Sequence, residues 1–246
     1  MITSIWQWLT APESWTGPDG IPVRLGEHVG YSFLVVLIAA AIGIPVGLYV
    51  GHTGRLHWLV SVTNAARAIP TLGLLFALAL WVGPLIRGSA AFVVPSVIAL
   101  VLLAIPPIVA GTFAGVEAVD PSVRDAAKAM GMPPRTVVWR VEIPNALPLI
   151  LSGVRSAVLQ VVATATIAAS IGLGGLGRYL IDGLAGGDYP QTAGGSLIVA
   201  VLALVLDGLL ALIQRFVVSP GISGRTGKST TTDRVSPSSA RPQPGV

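Results

Sequence analysis

Few residues in this chain could do chemistry, and most of those stand in apolar surroundings. Arg67, Arg155, Gln160 and Asp207 each interrupt long runs of aliphatic side chains. An ionisable side chain at the centre of a bilayer costs about 2.5–3.5 kcal/mol on insertion scales, so such a group faces a partner or a polar path and turns away from lipid. Arg155 lies nine residues into its apolar run, and Asp207 lies eleven from the end of its own. At 1.5 Å per residue both sit about 14–16 Å deep, which predicts an ion pair or a shared polar pathway. Arg67 admits two readings. It snorkels to the membrane surface, or it lines a pathway opened by the helix break expected at Pro70.

Other combinations carry less. Gly172-Leu-Gly-Gly-Leu-Gly177 fits G-x-G-x-x-G, but no strand precedes it and it follows a greasy helix. That context excludes a dinucleotide site and suggests a flexible turn. His28, His52 and His57 have no Cys or carboxylate at ligand spacing, so they read as interfacial side chains and not as a metal set. No Walker A, G-x-S-x-G or H-E-x-x-H sequence occurs. If the protein moves a solute uphill, the energy enters through another chain.

The elements that position these groups follow from composition. Hydrophobic residues make up 53% of the chain and charged residues 11%, with a mean hydropathy of +0.79. Soluble domains carry about 25% charged residues, so this is an integral membrane protein. There is no cysteine, hence no disulfide frame and no thiol nucleophile. The small net charge of +4 reads as membrane topology and not as nucleic-acid affinity. The first 23 residues hold no Lys or Arg, which argues against a cleavable signal peptide.

Five apolar spans are expected, at about 29–50, 58–82, 92–116, 146–171 and 196–218. Gly43, Gly47 and Gly51 repeat at a spacing that favours close helix packing, with a hinge at Pro45 as the lesser alternative. Pro70 and the Pro106-Pro107 pair should break the second and third spans. Residues 1–28, with Trp6, Trp8 and Trp15, read as an interfacial or loosely ordered extracytoplasmic segment. Residues 172–194 read as irregular, and residues 219–246 as a disordered tail. Lys and Arg number ten in loops 51–57, 117–145 and 214–246, against three in 1–28, 83–91 and 172–194. This imbalance places the N-terminus outside and the C-terminus in the cytoplasm.

Residues 120–144, DPSVRDAAKAMGMPPRTVVWRVEIP, form the most charged run between spans. Asp120 is a good N-cap and Pro121 suits the first helical position. Val123, Ala126, Ala127 and Met130 make one apolar stripe, with Arg124, Asp125 and Lys128 on the other face. Gly131 should stop this helix. A second short turn, 135–142, should end at Ile143-Pro144, because a residue before proline avoids the helical region. An apolar stripe in a membrane loop needs a receiver, either the bilayer surface or a partner protein.

This loop resembles the EAA loop of permease subunits of ATP-binding-cassette importers, whose pattern is E-A-A, three residues, G, nine residues, I-x-L-P. Here it stands as Asp125-Ala126-Ala127, three residues, Gly131, nine residues, Val141-Glu142-Ile143-Pro144, with the spacing kept. Arg67-Ala-Ile-Pro-Thr-Leu-Gly-Leu-Leu75, Ala104-Ile-Pro-Pro-Ile-Val109, Ile171-Gly-Leu-Gly-Gly-Leu-Gly177, and Asp207 followed by Arg215 and Pro220-Gly221 are similar to the osmoprotectant branch. The likeness covers about residues 26–221.

The resemblance implies an all-α polytopic fold of five transmembrane helices, the type I importer permease (MetI-like) arrangement, in a bacterial cytoplasmic membrane. The permease domain would be residues 29–218, with 120–144 as its cytoplasmic coupling loop. It implies a non-catalytic transport subunit with no cofactor of its own, ATP and Mg being bound by partner ATPase subunits. A second permease subunit, an extracytoplasmic substrate-binding protein and membrane lipid are the other implied partners. Asp125, Ala126, Ala127, Gly131, Val141, Ile143 and Pro144 would form the ATPase-coupling site. Arg67, Pro70, Arg155, Gln160 and Asp207 are candidates for the solute pathway. The implied cargo is a compatible solute such as glycine betaine, carnitine, choline or proline. The alternative is an amino acid such as methionine. Arg67, Arg155 and Asp207 alone offer too small a cluster for a membrane enzyme.

Overall fold

The computed structural model describes residues 2–217, and every regular element among them is helical. The proposed tail 219–246, with Pro220-Gly221, lies outside the described residues. The long helices are α2 (Ile21–Thr53), α5 (Ala90–Glu117), α8 (Ile143–Ala168) and α10 (Tyr189–Val217). Shorter ones are α1 (Ile2–Thr10), α3 (His57–Ala65), α4 (Thr71–Val82), α6 (Pro121–Ala129), α7 (Pro134–Val137) and α9 (Gly177–Gly186). Four segments are long and apolar enough to cross a membrane: α2, α5, residues 134–171 and α10. The α3–α4 pair is bent by 93° and completes five spans if counted as one. Its break falls at Pro70, as expected, and Pro70 caps α4.

α5 is the central helix. Its apolar side chains, among them Leu100, Ala104 and Ile108, pack with Val35 and Ala39 of α2, Leu75 of α4, and Ala157, Val161 and Ala165 of α8. The Gly43/Gly47/Gly51 stripe packs here. A Cβ on Gly47 would stand 2.6 Å from Thr112 Cβ, and one on Gly51 2.7 Å from Val116 Cβ. α2 and α5 therefore run parallel at backbone contact. On the other side Gly111 and Gly153 let α5 and α8 cross antiparallel; a Cβ on Gly153 would meet the Pro107 carbonyl at 2.6 Å. α10 has few buried residues, and Leu204, Val205 and Phe216 stand exposed, an apolar face suited to lipid or a partner chain.

Several expectations are corrected. Pro106-Pro107 does not break the third span, since α5 runs through it. Proline 107 leaves the Leu103 carbonyl without its helical donor. Gln160 of α8 supplies one, its Nε2 donating to that carbonyl at 2.8 Å. Pro144 does not end a turn either. Val138–Glu142 form a π turn that leads straight into α8, and Ile143 is helical (φ −59°, ψ −49°). The wider turn takes up the proline, and Asn145 Nδ2 donates back to the Val141 carbonyl at 2.7 Å. Residues 172–194 are not irregular; they hold α9 and the start of α10, which begins at Tyr189 and not at 196. The first span begins at Ile21 and not at 29, because Pro22 suits a first helical turn.

Candidate functional site

α6 forms as its end signals require. Asp120 Oδ1 accepts the Ser122 amide at 2.8 Å, and Pro121 opens the helix. That amide holds the Asp120 carboxyl below its ordinary range. At the far end Gly131 takes φ +78°. Met132 N donates to the Ala127 carbonyl at 3.2 Å and Gly131 N to that of Lys128 at 2.9 Å, a Schellman stop. Within α6 only Ala127 is buried. Ala126, Val123 and Met130 face outward, the last two 45% and 70% exposed, so most of the apolar stripe has no cover among the described residues. Asp125 is exposed beside Lys128, 3.5 Å away. Val141 and Ile143 are half-buried and Pro144 is exposed.

Arg124 departs from the expected solvated face. Its side chain turns inward, with Nε 3.2 Å from Glu142 Oε1, and it donates to the Val116 carbonyl. Glu142 is buried, and its Oε2 lies 2.8 Å from His52 Nδ1. Sequence reading missed this cluster. Its one local signal was a carboxylate set among Val138, Trp139, Val141 and Ile143. Nothing local tied it to His52, 90 residues away.

The polar residues inside the spans fall into separate places. Arg155 of α8 and Asp207 of α10 pair, Nε to Oδ1 and an Nη to Oδ2, both at 2.5 Å. The pair is about one-third exposed. Gln160 is engaged with α5, as described above. Arg67 and Pro70 are exposed at the α3–α4 bend and take no part in the Arg155–Asp207 pair.

The glycine-rich turn lies at the opposite end from α6. It is packed and pinned, contrary to the expected flexible turn. Leu173 and Leu176 are fully buried. The Gly175 amide donates to Glu27 Oε2 at 2.8 Å. A Cβ on Gly174 would stand 2.6 Å from that carboxylate. His28 is buried beside it, with Nε2 3.1 Å from the Val162 carbonyl, so it is a core residue and not an interfacial one. Near this end a cleft of about 450 Å³ is lined by Trp8, Asp19, Arg24, Arg178, Tyr179 and Asp182, among others. Most of its charges are paired: Arg24 with Asp19 and Glu27, and Arg178 with Asp182 at 2.7 Å.

The arrangement is that of a membrane bundle with an exposed amphipathic helix at one end. Residues 39–220 match the family described as binding-protein-dependent transport system inner membrane component. The chain belongs to that family. This permease component is similar along most of its length to curated relatives. It is 36% identical over 201 residues to the osmoprotectant import permease protein OsmW of Salmonella typhimurium, covering 80% of this chain and 91% of the relative. It is 33% identical over 206 residues to the choline transport system permease protein OpuBD of Bacillus subtilis, covering 83% and 88%. The glycine betaine/carnitine/choline transport system permease protein OpuCB of B. subtilis is 29% identical over 204 residues, covering 82% and 90%. Among solved structures, the inward-facing MetNI methionine ABC transporter superimposes with a TM-score of 0.70 at 22% identity, covering 85% of this chain and all of that one. An amino acid ABC transporter solved with histidines gives 0.64 at 23%, covering 80% and 93%. These two show the shared fold. The chain is thus a transport permease subunit of a membrane, with the MetI-like fold.

Proposed function

We propose that this chain is the pore-forming subunit of an ATP-driven importer of compatible solutes: glycine betaine, carnitine, choline and related zwitterions or cations. The observation that carries the reading is α6. It is a capped helix with a Schellman stop and an apolar stripe left mostly uncovered by the described residues. Such a face is suited to a groove on a partner. In this reading α6 docks on an ATPase subunit through Asp125, Ala126 and Gly131, Ala127 shapes the helix by seating it on its own chain, and Val141, Ile143 and Pro144 frame the entry to α8. Hydrolysis takes place in that partner, which binds ATP and Mg, and this chain is not catalytic. Two permease subunits, identical or related, enclose the path, and a separate extracytoplasmic binding protein delivers the solute. The Lys and Arg imbalance supports an outside N-terminus and a cytoplasmic loop 120–144. The solutes for which the relatives are named support the cargo.

The test is co-expression with an ATPase subunit and a binding protein, then reconstitution into proteoliposomes. ATP-dependent uptake of labelled glycine betaine, competed by choline or carnitine and not by methionine, is expected. Competition by methionine alone would establish the amino-acid alternative. An ATPase that never co-purifies with the chain would overturn the coupling role of α6.

A further inference from the structure

We propose that Glu142 is a positioning residue that carries movement of α6 into the membrane helices α2, α5 and α8. The inference rests on the transport reading above and names the joint through which it works.

α6 is held to the rest of the chain by little. Ala127 is its one buried residue, and among the described residues Asp125 and Lys128 pair only with each other. Arg124 is the exception, its side chain one-fifth exposed. It reaches Glu142 and also donates to the Val116 carbonyl, in the last turn of α5, as a further donor beside the Val119 amide, which meets the same oxygen at 3.1 Å. Glu142 lies at the end of the π turn that opens α8. Its second oxygen meets His52, in the last turn of α2. One buried carboxylate thus gathers the ends of α2 and α5, the start of α8, and the docking helix.

Both oxygens of Glu142 are engaged, one by Arg124 and one by His52. A buried charge left without its partner is strongly penalised, so the cluster resists being pulled apart. Displacing α6 therefore drags the three helix ends instead of sliding past them. The π turn gives α8 a place to absorb the change, since such turns are single-residue adjustments within a helix and cluster at functional sites. Arg124 accordingly serves this joint and does not belong to the surface that meets the ATPase.

The experiment uses the full complex with ATPase and binding protein in proteoliposomes, measuring solute uptake and ATP hydrolysis together. With Glu142→Gln, hydrolysis continues while solute moved per ATP falls at least about fivefold, within the usual range of coupling between sites. Glu142→Asp, which keeps the carboxylate, restores part of the ratio. The double variant Arg124→Gln/Glu142→Gln leaves no lone buried charge. It folds and assembles as well as wild type, yet its ratio stays as low as that of Glu142→Gln, because two residues acting as one joint are not additive. A merely structural role would show the reverse, a ratio that recovers with folding. An unchanged ratio in Glu142→Gln or in the double variant overturns the joint. Absence of ATP-dependent uptake in the wild-type complex overturns the transport reading itself, so the two failures are distinct.

Discussion

Arg155 and Asp207 face each other across α8 and α10, joined by two hydrogen bonds of 2.5 Å. The two helices are antiparallel, and seven residues further along α10 Gln214 Nε2 donates to the Pro148 carbonyl of α8 at 3.0 Å. The pair and this second bond pin a helix that buries few residues of its own. Asp207→Ala leaves Arg155 without a carboxylate within an apolar segment. We predict a lower melting temperature for the detergent-purified chain and loss of uptake. The swap Arg155→Asp/Asp207→Arg keeps the pair and should restore both. A swap as inactive as Asp207→Ala would show that the residues act separately.

Gln160 has a different task from its neighbour Arg155. Its side chain satisfies the carbonyl that Pro107 leaves open in α5. Gln160→Leu keeps the volume and removes the donor. An unsatisfied buried carbonyl costs about 1–3 kcal/mol. Thermal unfolding should register that loss, while the solute preference of the assembled transporter stays as in wild type. A changed preference would return Gln160 to the pathway.

The contrast between these residues shows which parts of the chain are legible. α6 could be read because its signals are local: Asp120, Pro121 and Gly131 lie within one short segment, and each end obeys a rule of backbone geometry. The five apolar stretches could be read because length and hydropathy suffice. Pro107 and Pro144 look like stops in the sequence, because the groups that rescue them are side chains. Asn145 is adjacent but ambiguous, and Gln160 is 57 residues from the carbonyl it serves. The Arg155–Asp207 pair was recoverable from matched depth. The His52–Glu142–Arg124 cluster was not, since Arg124 on an amphipathic helix pattern looks like any solvated cation.

Gly131 and Gly175 make a useful comparison, because both hold positive φ, +78° and +88°. A Cβ on Gly131 would meet nothing within 4 Å, whereas one on Gly175 would stand 3.0 Å from His28 Nδ1 and 3.2 Å from its Cα. Gly131→Ala should therefore cost about 1–2 kcal/mol, the left-handed backbone penalty alone. Gly175→Ala should cost more and lower the yield of folded chain. Gly131→Trp has room inside the chain but enlarges the end of α6. We expect it in the membrane at normal level without bound ATPase, by co-purification. Normal uptake by Gly131→Trp would remove Gly131 from the docking surface.

Tyr179 ties α9 to the N-terminal segment. Its ring meets Trp8 edge-on at 5.2 Å, and its hydroxyl donates to the Asp19 carbonyl at 2.5 Å. Burial pushes the phenol up to about 12, with the Arg24 guanidinium opposing. An unfolded tyrosine ionises near 10. The folded state thus holds its proton where the unfolded state releases it. The contribution is fully present below about pH 10 and is lost as pH rises through about 12. Unfolding followed between those values should show a fall in stability that Tyr179→Phe lacks, since phenylalanine has no proton to release. Tyr179→Phe also gives up the bond to Asp19, so below pH 10 it should be less stable than wild type by about 0.5–1.5 kcal/mol. A shift from about 10 to about 12 outweighs that advantage, so the two curves should cross between those pH values. Parallel curves across the whole range would show that the Tyr179 phenol ionises alike in the folded and unfolded chain.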